Sequence, residues 1–262
     1  MTNLHGKVLV ITGGSSGIGK TVALAAAKRG ATVVLLARNR SKLAAVRAEC
    51  ARLSGQSAYA FTLDVSDPVA IDSVWDQIMG SVDHVDYLLN AAGFGIFETA
   101  LDTPMHTAEA MLRTNVLGTM YMTRLAGRIM VEQGYGHIIN IASMAGKIST
   151  PKSGVYSASK AAVIAYSNVL RMELRPAGVF VTTVNPGPVR TNFFNRAGAE
   201  EYEKSVDIFA LDPQQVAKRI LQALGRPVRE INLPGIMAVA AKIYPLFPNI
   251  SDYIIVNVFD RK

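Results

Sequence analysis

Six short apolar runs, at residues 7–11, 31–36, 58–63, 87–90, 137–141 and 179–184, alternate with longer stretches in which apolar residues recur every three or four positions. That alternation predicts βαβ units and a parallel sheet. Val8-Leu9-Val10-Ile11 and Val33-Val34-Leu35-Leu36 carry no polar face. Strands covered by helices on both sides have this character, so the expected class is α/β, a doubly wound parallel sheet with helices on both faces. Half of the 262 residues are hydrophobic and 18% are charged, which supplies a core and excludes a disordered chain. No linker, repeat or low-complexity tract divides the sequence, so one domain over residues 1–262 is expected.

The first run leads directly into Thr12-Gly13-Gly14-Ser15-Ser16-Gly17-Ile18-Gly19 and then a helical pattern. Glycines permit a tight turn and let backbone N–H groups reach a pyrophosphate, and the helix N-terminus behind them adds partial positive charge. The spacing is Gly-x-x-x-Gly-x-Gly, not the common Gly-x-Gly-x-x-Gly. Its place between the first strand and the first helix points to a Rossmann-type dinucleotide site, with Gly13, Ser15, Ser16, Gly17, Ile18 and Gly19 at the cofactor.

The second run ends Ala37-Arg38-Asn39-Arg40, where NAD enzymes commonly place a carboxylate for the ribose 2′-hydroxyl. From Arg38 to Arg52 the basic residues are Arg38, Arg40, Lys42, Arg47 and Arg52, against Glu49 alone. A guanidinium pairs with a 2′-phosphate that a carboxylate would repel. A solvated basic helix face accounts for the later arginines but not for the missing acid. NADP(H) is therefore the expected cofactor, with Arg38 and Asn39 beside its 2′-phosphate.

Tyr156 and Lys160 stand four residues apart at the start of a long helical pattern, hence on one helix face. An ammonium beside a phenol lowers the tyrosine pKa from its reference of about 10, towards a useful general acid or base. The lysine can also donate to a ribose hydroxyl. Such a pair is common by chance, and its structural alternative is an ordinary helix face. Ser143, read as the end of the fifth strand, adds a donor that can hydrogen-bond a substrate oxygen and stabilise developing charge.

With these residues in hand, the sequence resembles the short-chain dehydrogenase/reductase family over roughly residues 7–191. The motifs are the glycine turn, Asp64-Val65, Asn90-Ala91-Ala92-Gly93, Asn115, Ser143, Tyr156/Lys160 and Pro186-Gly187. The resemblance implies a catalytic tetrad of Asn115, Ser143, Tyr156 and Lys160, with Asn115 holding a water in a proton relay to Lys160. It places Asp64 and Val65 against the adenine, Asn90, Ala91 and Gly93 around the cofactor's middle, and Pro186, Gly187, Val189 and Thr191 at the nicotinamide side. Ala91 departs from the second asparagine of many members. Asp64 also reads as a turn residue and Asn115 as a satisfied polar core residue.

The single cysteine, Cys50, forms no internal disulfide and no metal cluster, and reads as a small helix residue. The four histidines have no ligand spacing and Trp75 reads as core, so no metal is expected. The N-terminus lacks a signal peptide's apolar region and no run spans a membrane, which makes the cytoplasm the expected compartment. A net charge of +7 favours anionic partners, but zinc spacings and basic-aromatic motifs are absent, so nucleic acid is not expected.

Residues 186–211 mix prolines with charges after the sixth strand and are placed to form a substrate lid. The tail, residues 235–262, is apolar at 236–247, where Lys242 is the one charge, and again at 254–259. It can close the pocket, meet another subunit or lie on a membrane surface, and its alanines and prolines favour plain packing. It resembles the steroid dehydrogenase-like, broad carbonyl-reducing branch and implies an apolar or lipid-like substrate. The resemblance also implies a homodimer or homotetramer built on helices at about 104–133 and 154–176. The expected function is NADP(H)-dependent interconversion of a carbonyl and a secondary alcohol by hydride transfer, with Tyr156 as general acid/base, and two others stay open: a 3-oxoacyl thioester reductase of fatty-acid type, and a non-catalytic NADP-binding regulator.

Overall fold

The computed structural model describes residues 3–193 and 210–259. Seven parallel strands form one sheet in the order β3-β2-β1-β4-β5-β6-β7. They are β1 (Val8–Thr12), β2 (Thr32–Ala37), β3 (Ala58–Thr62), β4 (Tyr87–Asn90), β5 (Gly136–Ile141), β6 (Val179–Pro186) and β7 (Glu230–Leu233). Six lie where the apolar runs predict them. The seventh, which no apolar run predicts, pairs with β6 through Asn185↔Asn232. Two of its four residues, Glu230 and Asn232, are polar, and Arg229 precedes them, so it lacks the continuous apolar run by which the others announce themselves.

The helices are α1 (Gly17–Ala27), α2 (Arg40–Ser54), α3 (Pro68–Met79), α4 (Met105–Leu112), α5 (Gly118–Gln133), α6 (Gly154–Leu174), α7 (Pro213–Ala223), α8 (Gly235–Ile243) and α9 (Pro248–Phe259). Their ends are written in the sequence. Asp67 caps α3 by accepting from the N–H groups of Val69 and Ala70, with Pro68 in the first turn. Gly55 and Gly134 close α2 and α5 in the left-handed conformation. Alternate strand residues feed two cores. Leu9, Ile11, Val33 and Leu35 pack towards Val22, Val46 and Ile220, and Val8, Val10, Val34 and Leu36 pack towards Trp75, Met122 and Leu170. Cys50 is buried in the first of these, and burial pushes its thiol up to about 12, as fits an inert packing residue.

Strand order reverses between β1 and β4. There the chain leaves β1 towards one face and β4 towards the other, opening a crevice at the carboxyl ends of the strands. Two sequence boundaries shift. Strand β6 runs on to Pro186, and Ser143 lies beyond β5 as the N-cap of a 3-10 turn, Met144–Gly146, its Oγ accepting from Ala145 N–H. Most of the expected lid, residues 194–209, lies outside the described residues. Its flanks are tied together, Arg190 N–H donating to Leu211 O and Leu211 N–H to Pro188 O. Among the described residues, no helix is long and apolar enough to cross a membrane.

His137 clasps the far end of the sheet. Its Nδ1 accepts from Gly225 N–H at 3.2 Å, which leaves Nε2 protonated to donate to Thr182 Oγ1 at 2.8 Å. Thr182 Oγ1 in turn donates to Val228 O. The ring is fully buried, and desolvation pushes its pKa down from 6.5 to about 3. The unfolded chain therefore binds one more proton between pH 3 and 6.5, and this residue's contribution to stability is complete above 6.5 and lost as pH falls. Wild type should lose about 2 kcal/mol more than His137→Gln between about pH 7 and pH 5 in urea denaturation. Equal losses in the two proteins would show that His137 is not the group responsible.

Candidate active site

The crevice at the strand ends is a cleft of about 1430 Å³. A single small ligand usually occupies ~300–1,000 Å³, so there is room for two molecules side by side. At one end are the glycine turn, Arg38 and Asp64. At the other are Ser143, Tyr156, Phe193 and the tail.

The glycine turn is shaped by close backbone approach. Gly13 has φ 69°, and a Cβ there would sit 2.8 Å from Ala91 O, so the turn after β1 lies directly on the segment after β4. Ser16, the N-cap of α1, makes no side-chain capping bond, and the first turn of α1 holds no acidic residue. The helix N-terminus thus presents backbone donors and partial positive charge to the cleft, an anion-binding arrangement. Lys20, Arg38 and Lys42 line this end, and Asp64 is its one carboxylate among the described residues of the wall.

Arg38 and Asp64 meet at 3.6 Å, with side chains 72% and 40% exposed. Asp64 also accepts from Ser66 N–H and Ser66 Oγ, so its turn reading and its place in the wall both hold. Burial raises the Asp64 carboxyl, but the two Ser66 hydrogen bonds and Arg38 outweigh that and the net shift is downward. The carboxylate missing from the end of β2 therefore enters from beyond β3, as a partner of Arg38. Asn39 lines the same wall while its Oδ1 caps α2, accepting from Lys42 N–H and Ser41 Oγ.

Tyr156 and Lys160 lie in the first two turns of α6, and both are buried. Lys160 Nζ donates to Ile141 O at 3.0 Å and lies 5.8 Å from the centre of the Tyr156 ring. No carboxylate pairs with it among the described residues. Desolvation lowers its pKa from 10.5 to about 8. Ser143 Oγ reaches Pro186 O at 3.4 Å, joining the ends of β5 and β6. Phe97 and Phe193 flank Tyr156 with ring centres at 5.6 Å each.

Asn115 stands one layer behind the wall. It sits in a π-helical turn, Arg113–Leu117, between α4 and α5. Its side chain accepts from Phe94 N–H at 3.0 Å, donates to Phe94 O at 2.9 Å and donates to Ser159 Oγ at 3.0 Å. The reading of Asn115 as a satisfied polar core residue thus describes its side chain well. It also ties the segment after β4 to the helix that carries Lys160. Gly93 is where these meet: a Cβ there would lie 2.9 Å from Asn115 Oδ1 and 3.4 Å from Lys160 Nζ.

Of the other residues singled out in the sequence, Val65, Ala91, Gly93, Pro186, Gly187, Val189 and Thr191 line the cleft, and Asn90 does not. Asn90 is buried behind the wall, donating to Thr123 Oγ1 and Asn140 Oδ1. Sequence reasoning misses Lys20, Phe97 and Phe193. The last two follow recognised motifs closely, and an aromatic within a few residues of Gly93 or Thr191 is the available signal. The tail departs from the plain packing that its sequence favours. Met237, Tyr244, Ile254 and Ile255 form a wall of the cleft, while no described side chain of α8 or α9 is fully buried. No group of three or more His, Cys, Asp or Glu side chains is placed to hold a metal among the described residues.

A family model described as short chain dehydrogenase matches residues 7–202. An uncharacterized oxidoreductase of Staphylococcus aureus is 35% identical over 227 residues, 87% of this chain and 94% of its own. Among solved structures, a short-chain dehydrogenase/reductase of Burkholderia phymatum in complex with NAD is similar with a TM-score of 0.88 and 25% identity, covering 95% of this chain and 96% of its own. A short-chain dehydrogenase of Sphingobium yanoikuyae in complex with NADPH is similar with a TM-score of 0.81 and 27% identity, covering 95% of each chain.

The Lys160 ammonium makes a stability prediction. At about pH 7 it is charged in both the folded and the unfolded chain, and burying it opposes folding. Its folded pKa is depressed, so stability should rise with pH between about 8 and 10.5 as the folded chain releases the proton first. Lys160→Met should raise stability at about pH 7 by up to ~3 kcal/mol and abolish that rise, as read by thermal or urea denaturation. A variant less stable than wild type at neutral pH would mean that the ammonium is favourably compensated in the fold.

Proposed function

The chain belongs to the short-chain dehydrogenase/reductase family, whose members use nicotinamide cofactors, and on that premise we propose that it is an NADP(H)-dependent oxidoreductase interconverting a carbonyl and a secondary alcohol. The observation that carries this reading is the convergence of Ser143, Tyr156 and Lys160 on the same cleft as the glycine turn.

The residues present fit a nicotinamide dinucleotide. The Gly13 turn and the α1 N-terminus suit its pyrophosphate, and the side-chain-free surface at Gly93 leaves room beside Lys160. Lys20, Arg38 and Lys42 outnumber Asp64 at the adenosine end, which favours the more highly charged NADP(H). Arg38 is largely exposed and only loosely paired at 3.6 Å, so it is available to a 2′-phosphate. When bound, the cofactor supplies or accepts the hydride at the substrate carbon.

The chain's own residues manage the oxygen. Tyr156 gives its phenolic proton to the carbonyl oxygen in reduction and takes it back in oxidation. Ser143 hydrogen-bonds the same oxygen and holds it in line with Tyr156. Lys160 brings positive charge beside the Tyr156 ring and stabilises the negative charge left when the proton departs. Asn115 positions Lys160 through its hydrogen bond to Ser159 and its contact at Gly93, and a proton relay through water would run past it to the ammonium. Phe97 and Phe193 against Tyr156, and Met144, Ile148, Met237 and Ile254 in the same cleft wall, favour an apolar ketone or alcohol over a charged one. Exposed Val169 and Met172 on α6 and Met105 and Leu112 on α4 support a homo-oligomer paired through these helices.

Tyr156→Phe should leave the affinity for NADPH within about threefold of wild type and lower kcat on apolar ketones by about 10²–10⁴-fold. Fluorescence titration of NADPH and a ketone panel followed by NADPH absorbance check both halves. Turnover in the variant close to wild type would overturn the proposed role of Tyr156.

A further inference from the structure

The tail, made of α8, α9 and the 3-10 turn Tyr244–Leu246 with Phe247 between them, has two apolar sides and only one of them looks into the cleft. Met237, Tyr244 and Ile255 turn inward. Ile236, Val239, Leu246, Phe247, Ile250 and Tyr253 turn away from it, and each is more than half exposed, from 55% for Phe247 to 72% for Tyr253. Ile243 and Ile254 belong to both: they line the cleft and are about half exposed. The outward side of the tail therefore exposes six large apolar side chains within eighteen residues and borders the apolar end of the cleft. Single exposed apolar residues are ordinary on a protein surface, but a patch of this kind marks a surface that is covered in use.

Charge decides what covers it. Residues 235–257 hold two formal charges, Lys242 and Asp252, and Asp252 is engaged by the Tyr244 hydroxyl at 2.8 Å. Lys242 is exposed, and so is Lys152 on the loop whose Ser149 lies beside the Tyr244 hydroxyl. The whole chain carries +7. For a second copy the face, with one lysine and one aspartate, offers no net charge attraction, whereas an anionic surface attracts a chain of +7 and accepts the apolar face at once. An aromatic pair, Phe247 and Tyr253, among aliphatic side chains and beside lysines is the composition of a helix lying in a membrane interface.

We propose that the α8–α9 face docks on an anionic lipid bilayer, with Leu246, Phe247, Ile250 and Tyr253 entering the headgroup boundary and Lys242, Lys152 and the net positive charge of the chain supplying attraction. Because Ile243 and Ile254 join this face to the cleft wall, docking sets the apolar end of the cleft against the membrane. The docking itself stands on the exposed face and the charge, and does not depend on the reaction proposed for the cleft.

Sedimentation of the full-length protein with vesicles tests it. With phosphatidylcholine vesicles containing phosphatidylglycerol, most of the protein should sediment. Pure phosphatidylcholine, or a roughly tenfold increase in salt, should weaken binding severalfold. Leu246→Glu/Ile250→Glu should lower binding to the anionic vesicles about tenfold or more, while thermal stability and NADPH affinity stay at wild-type values. A Tyr253→Trp variant gives a reading that needs no loss of function, since Trp75, the one native tryptophan, is buried in the core. Brominated lipid in the anionic vesicles should quench the introduced indole strongly and leave wild-type fluorescence unchanged. Failure to sediment with anionic vesicles, or an unquenched indole in the Tyr253→Trp variant, overturns the proposal. If light scattering then shows a dimer that Leu246→Glu/Ile250→Glu dissociates, the face belongs to a second copy of the chain.

Discussion

A buried ammonium group at the cleft wall is the constraint to which the rest of the cleft answers. Lys160 is carried inward by α6 and held by a carbonyl at the end of β5, with its pKa pushed down to about 8. The desolvation of that charge outweighs what its contacts return and opposes folding. It is accommodated because three separate parts of the chain arrive at one point. The end of β5 supplies the acceptor, the absence of a side chain at Gly93 leaves space, and Asn115 locks the Phe94 backbone and Ser159 around it. Such concentration of cost at one residue is typical of sites where function and stability pull apart.

The parallel sheet makes this convergence possible. Strands β1, β4, β5 and β6 are neighbours in the sheet and end on one edge, so residues far apart in sequence become adjacent without long excursions. The glycine turn follows β1, Gly93 follows β4, Ser143 follows β5 and Pro186 ends β6. Behind that edge the two apolar cores hold the strands in register. His137, Thr182 and Gly225 fasten the opposite region, where β5 and β6 begin. The chemistry proposed for the cleft would sit at the edge where backbone groups are left to be paired, and the stabilising contacts lie below it.

What the sequence reveals follows from how local each signal is. Apolar runs, the Gly13–Gly19 turn and the four-residue spacing of Tyr156 and Lys160 are properties of short segments and can be read directly. The strand β7 cannot, because Glu230 and Asn232 interrupt its apolar character and its identity comes from pairing with β6. Asn115 stands out in the sequence, but its grip on Phe94 depends on a π-helical turn that no spacing announces. Asn90, expected at the cofactor, instead braces β4 from behind, since a strand residue's side depends on register. Arg38 is found from a missing acid, while the acid it meets, Asp64, arrives from another strand. The tail is hardest. Apolar residues on both faces of α8 and α9 fit packing, closure and docking equally, and only the fold divides them into a cleft wall and an exposed face.

Binding of the nicotinamide dinucleotide is the claim on which the remaining assignments rest, and affinity for NADPH against NADH tests it most directly. Titration of the wild-type protein should give one saturable site per chain, with NADPH bound at least about tenfold more tightly than NADH. Arg38→Ala should remove most of that difference, since a charge-assisted hydrogen bond of ~1.5–3 kcal/mol to the 2′-phosphate corresponds to roughly 10–100-fold. Saturable binding with equal affinity for the two cofactors would contradict the role given to Arg38. No saturable binding of either would contradict the account of the cleft itself.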